Sequence, residues 1–323
     1  MKENKRQLGA SGLSVSPLTL GGNVFGWTLD EPASFKILDA FWGAGFNFID
    51  TADVYSSWVP GNHGGESETI IGNWLKNNGK RKEVIIATKL GNDMGQGRKG
   101  LNARYLKLAV EASLKRLGTD YIDLYQSHID DAETPVEETM SAFNQLIREG
   151  KVRYIGASNL SAERIKASND FARDNNLSPY ISLQPLYNLY DRQKFDNEYS
   201  ELVKTESLGV IPYYSLASGF LTGKYRSEAD IDKSKRGQGV KKYMNERGFK
   251  ILAVMDEVAR EQEVPLSQIA IAWLLHKPLV TSPIASATSK QQLDDLLYAT
   301  TLTLSTEQIS RLDLAGAPVG TDL

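Results

Sequence analysis

The 323-residue sequence contains no cysteine. That absence excludes a disulfide scaffold, a thiolate nucleophile, an iron–sulfur cluster and a Cys-ligated zinc site. Histidine is nearly absent too: His63, His128 and His276 are scattered and form no H-E-x-x-H motif, so no metal is expected. No apolar run is long enough to span a bilayer, so no membrane partner is expected. The first residues, MKENKRQLGASG, carry charge but no apolar secretion segment. Together these features point to the cytoplasm. The net charge is −3 with signs intermixed, which argues against nucleic acid as a partner and leaves a compact anion possible through a local basic spot. Linkers, low-complexity tracts and heptad runs are all missing.

What is present is alternation. Short β-type runs alternate with longer stretches of helical period. Strands are predicted at Leu18–Gly22, Asn47–Asp50, Val84–Leu90, Tyr121–His128, Val152–Asn159, Ile181–Leu186, Gly209–Ser215 and Leu279–Ser286. Helices are predicted at Pro32–Gly43, Ser67–Asn77, Asn102–Leu117, Pro135–Arg148, Ala162–Asn175 and Ser267–Leu275. Thr134-Pro135 reads as an N-cap followed by the first helical residue, and Ser161 as the next cap. Gly45, Gly118 and Gly150 stand where left-handed glycines end helices.

Strands separated by helices pair in parallel, and eight such units suit a closed barrel better than a doubly wound sheet. The expected fold is therefore of the α/β class: a single (β/α)8 TIM barrel over residues 1–323. A small N-terminal hairpin, turning at Ser11-Gly12, would cap it, and an extra helix, Ser305–Ala315, would end it. The polar stretch Arg226–Arg247 reads as a long loop or short helices inserted after the seventh strand. A monomer is expected, because the barrel buries its own sheet.

In such a barrel, chemistry belongs at the C-terminal strand ends. Reading those ends in order gives Gly22 and Asn23, then Asp50 with Tyr55 five residues on, Lys89, His128, Ser158-Asn159, Gln184, Tyr213 and Ser286. Each has a plain structural role when taken alone. Asp50 can cap a helix, His128 can support a strand end, Gln184 can be a satisfied core amide. Tyr213 can pack, with its neighbour Tyr214 pointing the opposite way. A buried lysine is rare without a partner, and the convergence of all these groups points to a site. A tyrosine hydroxyl ordinarily titrates near 10. A lysine ammonium about 4 Å away, at an effective dielectric of about 20, favours the phenolate by roughly 4 kcal/mol. Tyr55 would then titrate near neutral pH, as a general acid–base should. Asp50 would keep Lys89 charged, and His128 would orient a carbonyl oxygen. Trp27 and Trp58 are candidates for aromatic pocket walls. The basic residues Lys233, Lys235, Arg236, Lys241 and Lys242 read as a solvated face.

With these residues in view, the sequence resembles the aldo-keto reductases along nearly its whole length, from LGASGLSVSPLTLGG to PIASATSKQQL. The specific segments are FNFIDTADVYSSW, IIATKLG, TDYIDLYQSH, VRYIGASNLS and PYYSLASGFLTGKY. The resemblance implies a catalytic tetrad of Asp50, Tyr55, Lys89 and His128, with Tyr55 protonating the oxygen of an aldehyde, ketone or sugar carbonyl as hydride arrives from nicotinamide C4. It implies NADP as cofactor, with NAD as the alternative. Ser158, Asn159 and Gln184 would hold the carboxamide, and Tyr213 would stack on the ring beside Gly22 and Asn23. Leu216, Ser218 and Gly219 would hold the pyrophosphate, and Ser286, Thr288, Lys290 and Gln292 the adenosine end. The sequence departs from the family twice. Tyr213-Tyr214-Ser215-Leu216 stands where an aromatic residue and Ser-Pro-Leu are usual. ASATSKQQLDDL has Lys290 as its only cation and closes on Asp295-Leu296 rather than Glu-Asn. Two related readings are an NAD-dependent alcohol or sugar dehydrogenase, and a non-catalytic nicotinamide-binding sensor or regulatory subunit.

Two unrelated readings compete. Gly95-Gln-Gly97-Arg-Lys-Gly100 fits the spacing G-x-G-x-x-G, but it starts five residues beyond Leu90 and not at the strand end. Asp50 with Asp130 or Asp131 could form the carboxylate pair of a glycoside hydrolase. That reading leaves Lys89, Ser158-Asn159 and Gln184 without a role.

Overall fold

In a computed structural model, which describes residues 5–233 and 237–317, the chain begins with a hairpin of β1 (Arg6–Gln7) and β2 (Ser14–Val15). The barrel strands follow: β3 (Thr19–Gly21), β4 (Phe48–Asp50), β5 (Ile85–Leu90), β6 (Ile122–Ser127), β7 (Val152–Ser158), β8 (Tyr180–Gln184), β9 (Gly209–Val210) and β10 (Ile284–Ala285). All neighbouring barrel strands pair in parallel, in the order β10-β3-β4-β5-β6-β7-β8-β9. A Val210–Val280 bridge and the amides of Thr281, Ser282 and Ile284, donating to Val210 and Pro212, link the two ends of the sheet. The expected (β/α)8 architecture is the observed one.

The last two barrel strands are shorter than predicted. Pro212 and Pro283 have no N–H to give the ladder, so the regular pairing stops beside each.

Helices α1 (Glu31–Gly43), α2 (Glu66–Asn78), α3 (Ala103–Leu117), α4 (Val136–Arg148) and α5 (Ala162–Asp174) surround the first part of the barrel. The rest carry α6 (Ser200–Thr205), α7 (Glu246–Gln262), α8 (Leu266–His276), α9 (Lys290–Ala299) and α10 (Thr306–Gly316). Helix α3 shows why they form: Leu106, Ala109, Val110, Ser113, Leu114 and Leu117 recur at three- and four-residue spacing and are buried. The Asn102 side chain accepts from the Tyr105 amide at its start, and left-handed Gly118 ends it. Ser161 caps α5 as predicted. The Thr134-Pro135 cap is corrected: Pro135 itself is the N-cap, and the Thr134 hydroxyl donates to Asp131 instead. Ser305 and Gln308 form a reciprocal capping box on the predicted terminal helix.

One core lies between sheet and helices. A second fills the barrel floor, where Leu8, Leu13 and Val15 of the hairpin pack on Phe48, Ala87, Leu124, Ile181 and Ile211. The hairpin is seated through Gly9. It has φ +53, and a Cβ there would stand 2.1 Å from the Ile181 carbonyl oxygen and 2.7 Å from the Gly209 amide. The turn spans residues 9–12, including the predicted Ser11-Gly12, and Gly9 takes its left-handed position, because only a residue without a side chain can approach the strand backbones so closely.

Candidate active site

Strand periodicity builds the site. Side chains at alternate positions share one face. Phe48, Ala87 and Leu124 belong to the apolar floor, and two residues further along the same strands stand Asp50, Lys89 and Gln126, all buried. His128 follows Gln126 by two more, and Ser158 follows Gly156 by two. Gly156 is required here, because a Cβ would lie 2.3 Å from the Ser182 hydroxyl.

The ammonium of Lys89 donates to Asp50 Oδ2 at 2.7 Å, to the Thr51 carbonyl at 2.7 Å and to the Tyr55 hydroxyl at 2.9 Å. Asp50 Oδ1 accepts from Gln184 Nε2 at 2.9 Å. Both charged groups are therefore buried with their hydrogen-bonding capacity occupied, as a buried ion pair requires. Burial lowers Lys89 from its ordinary value, against the pull of Asp50. Tyr55 also differs from expectation. Burial first, then the charge of Asp50 at 3.5 Å, raise its hydroxyl well above 10. The Asp50–Lys89 pair is nearly neutral as a unit, so the phenolate gains little from it. The predicted titration near neutral pH is corrected: Tyr55 remains a protonated phenol held by an ammonium.

His128 stands with its ring centroid 6.0 Å from that of Tyr55. Burial, then the Lys89 charge, hold it well below the usual histidine value, so the ring is neutral at pH 7. Its Nδ1 lies 2.6 Å from the Asn92 side-chain nitrogen. A neutral ring accepting from that amide carries its proton on Nε2, free to donate to an oxygen.

Asp50, Tyr55 and His128 line a cleft of about 1200 Å³. Asn23, Trp27, Trp58, Ser158, Asn159, Gln184, Tyr213, Leu216, Ser218, Gly219, Ser286, Thr288 and Gln292 line it as well. The Tyr213 hydroxyl donates to Asn159 Oδ1, Asn159 Nδ2 to the His128 carbonyl, and Ser158 Oγ to the Gln184 carbonyl. Ser286 Oγ donates to Asn23 Oδ1. The rings of Trp27 and Trp58 meet edge-on at 5.6 Å. Ala217, Ser218 and Gly219 are successive left-handed residues, a turn suited to presenting backbone amides to an anion. Gly239, in the helical turns that follow, lies against Ser218, so the inserted segment covers this end of the cleft.

Two predicted residues stand apart. Gly22 packs behind the cleft, its carbonyl accepting from Ser67, and Gly21 lines the cleft in its place. Lys290 is exposed at the start of α9 and pairs with Asp294. Of the basic stretch, Lys233 pairs with Asp230 and Lys242 with Asp191, while Lys235 and Arg236 lie outside the described residues.

Sequence reasoning missed four neighbours. Gln126 was visible by alternation from His128. Lys224 lines the cleft near Gly219 and lies within the quoted PYYSLASGFLTGKY segment. Asn92, in a loop, gave no signal. Tyr214 was expected to face away, yet its ring lines the cleft 5.3 Å from that of Tyr213. Strand alternation does not reach it, because the last bridge is at Tyr213 and Tyr214 has φ +53.

The competing readings fail on geometry. The glycine-rich loop binds a side chain of its own protein: Asp131 Oδ2 accepts from the Leu101 amide, directly after Gly100. Asp131 also holds Thr134, and Asp130 pairs with Arg164. Neither aspartate lines the cleft with Asp50.

The residues present fit a nicotinamide nucleotide: amide and hydroxyl groups near Tyr55, an aromatic face in Tyr213, and a left-handed turn with Lys224 beyond it. Comparison with known proteins agrees. The family model described as Aldo/keto reductase family matches residues 17–316. An uncharacterized oxidoreductase, YrpG, of Bacillus subtilis is 34% identical over 97% of this chain and 96% of its own. A probable voltage-gated potassium channel subunit beta of rice (Oryza sativa subsp. japonica) is 36% identical over 91% of this chain and 90% of its own. The aldo-keto reductase AMT2 of Alternaria alternata is 34% identical over 95% and 90%. The chain belongs to the aldo/keto reductase family and is an oxidoreductase.

Proposed function

We propose that this aldo/keto reductase, acting as a single domain, reduces a carbonyl compound with NADPH, and that Tyr55 supplies the proton. The observation that carries the reading is the Lys89 ammonium, buried, paired with Asp50 and 2.9 Å from the Tyr55 hydroxyl at the base of the cleft. A nicotinamide, when bound, would supply hydride to the carbonyl carbon. The chain's own residues handle the oxygen. Tyr55 and the Nε2 proton of His128 donate to it, and as negative charge develops there the phenol proton is given up. Lys89 stabilises the resulting phenolate, and Asp50 orients Lys89. A phenol that stays protonated above neutral pH is suited to donating to an alkoxide, which is more basic still. Gln184, Ser158 and Asn159 would hold the carboxamide, and Tyr213 would lie against the ring. The turn at Ser218-Gly219, with Lys224, would take the pyrophosphate. Thr288 and Gln292, with the start of α9, would receive the adenosine end and its phosphate.

The test is titration with NADPH and NADH by tryptophan fluorescence, with turnover of a reactive aromatic aldehyde, for the native protein and Tyr55→Phe. Retained binding with turnover lost in the variant supports the reading, and the affinity ratio decides between NADP and NAD. Nucleotide binding without turnover of any carbonyl or alcohol favours a sensor or regulatory subunit, the reading to which the rice relative's name is relevant. No nucleotide binding overturns both.

A further inference from the structure

Tyr214 occupies a backbone conformation that bulky L-residues avoid. Its φ of +53 is left-handed, a state that persists only where the surroundings hold it. Two contacts do so. The Tyr214 carbonyl accepts from Asn188 Nδ2 at 2.9 Å and from the Ala217 amide at 2.7 Å. Asn188 is itself buried and fixed, its Oδ1 accepting from the amides of Tyr190 and Asp191.

The result is a large ring turned into the cleft where the family usually has serine. The side chain is 49% exposed, and Trp58, in the same cleft, is 46% exposed. The Trp58 ring is 6.1 Å from that of Tyr55, and the Tyr214 ring, 5.3 Å from that of Tyr213, lines the same cleft. Two half-exposed aromatic rings in one cleft leave apolar surface for a ligand to cover. On the reading above, the nearby polar groups Gln184, Ser158 and Asn159 are taken up by the nicotinamide carboxamide and not by the substrate. A sugar would lose the hydration of its hydroxyls and find few partners. A flat aromatic compound has no such requirement.

We propose that Tyr214, together with Trp58, is a specificity-determining residue that fits the cleft to flat aromatic carbonyl compounds. The proposal rests on the carbonyl-reduction reading above. Two variants test it: Tyr214→Asn, because asparagine tolerates the left-handed backbone, and Tyr214→Phe, which keeps the ring. Kinetics with 2-naphthaldehyde and propanal are compared, and 2-naphthamide, which is not turned over, is titrated by tryptophan fluorescence. In Tyr214→Asn, KM for 2-naphthaldehyde should rise about tenfold more than KM for propanal, and 2-naphthamide binding should weaken by a similar factor. Tyr214→Phe should keep the native preference. Equal changes for both aldehydes, or unchanged 2-naphthamide binding, would overturn the proposal. So would a tenfold loss of NADPH affinity in Tyr214→Asn, which would make Tyr214 a cofactor contact. If the native protein reduces neither aldehyde yet binds 2-naphthamide in a Tyr214-dependent way, the aromatic site stands and the reductase reading fails.

Discussion

Two residues of strand separate the barrel's floor from its chemistry. Phe48, Ala87 and Leu124 make an apolar layer plugged by the N-terminal hairpin, while Asp50, Lys89 and Gln126, next along the same strands, make a polar one. The floor is stabilised by burial alone, and its parts can be exchanged for others of like volume. The layer above carries buried charge, which is tolerated only because every charged atom has a partner. The difference teaches that the fold and the reaction draw on different energies within a few ångströms. Asp53 marks the limit of the second strategy. It is buried beside Glu68 with both carboxylate oxygens unpartnered among the described residues, and burial, then the charge of Glu68, push it up to about 8.

Removing one partner of the upper layer should break the contrast most sharply. Lys89→Met should lower kcat by about a thousandfold or more and destabilise the fold by about 3–5 kcal/mol, since Asp50 is left buried without its charge partner. Asp50→Asn combined with Lys89→Met should recover most of that stability and none of the activity. Urea unfolding and steady-state kinetics read the two effects separately, and recovery of both would refute the division.

Asp53 should give a pH signature. Its folded value lies above its unfolded one, so the folded state holds a proton that the unfolded state has released between about pH 4 and 8. Stability therefore falls as pH rises through that window and levels off above it. Asp53→Asn should remove this slope, with an advantage over the native protein that grows from pH 4 and reaches on the order of 5 kcal/mol by pH 8. Unfolding free energies measured across pH check it; parallel curves would count against it.

On the floor, Leu8→Ala should cost about 3 kcal/mol of stability, as cavity-forming substitutions do. Its kcat at a temperature where the variant is folded should match the native value, because Leu8 touches only the apolar layer. A tenfold fall in kcat would show that the two layers are coupled. The smallest effect should come from Lys290→Ala. That side chain is exposed and paired with Asp294, so unfolding should change by less than about 0.5 kcal/mol.

Much of this was legible beforehand, for stated reasons. Alternating short apolar runs and helical periods predicted the barrel, and the buried residues of α3 follow the predicted face. Asp50, Tyr55, Lys89 and His128 were visible because three of them end or nearly end their strands, where a barrel gathers its side chains. Asn92 was not, since a loop residue has no period to place it. Tyr214 was misread because alternation was extended past Tyr213, the last bridged residue, into one with φ +53. Asp53 gave no signal either: its environment comes from Glu68 on α2 and from Arg116 on α3.

Local chemistry in the sequence by itself determined the elements and their order: apolar period, helix caps at Asn102 and Ser161, and parallel strands joined by helices. It also determined which polar side chains share a face with the floor, since alternation along a strand needs no tertiary knowledge. The tertiary structure alone decided the protonation of Tyr55, the left-handed turn that aims Tyr214 into the cleft, and the isolation of Asp53. Those properties depend on desolvation and on charges many residues away in the chain, and both exist only once the barrel has closed.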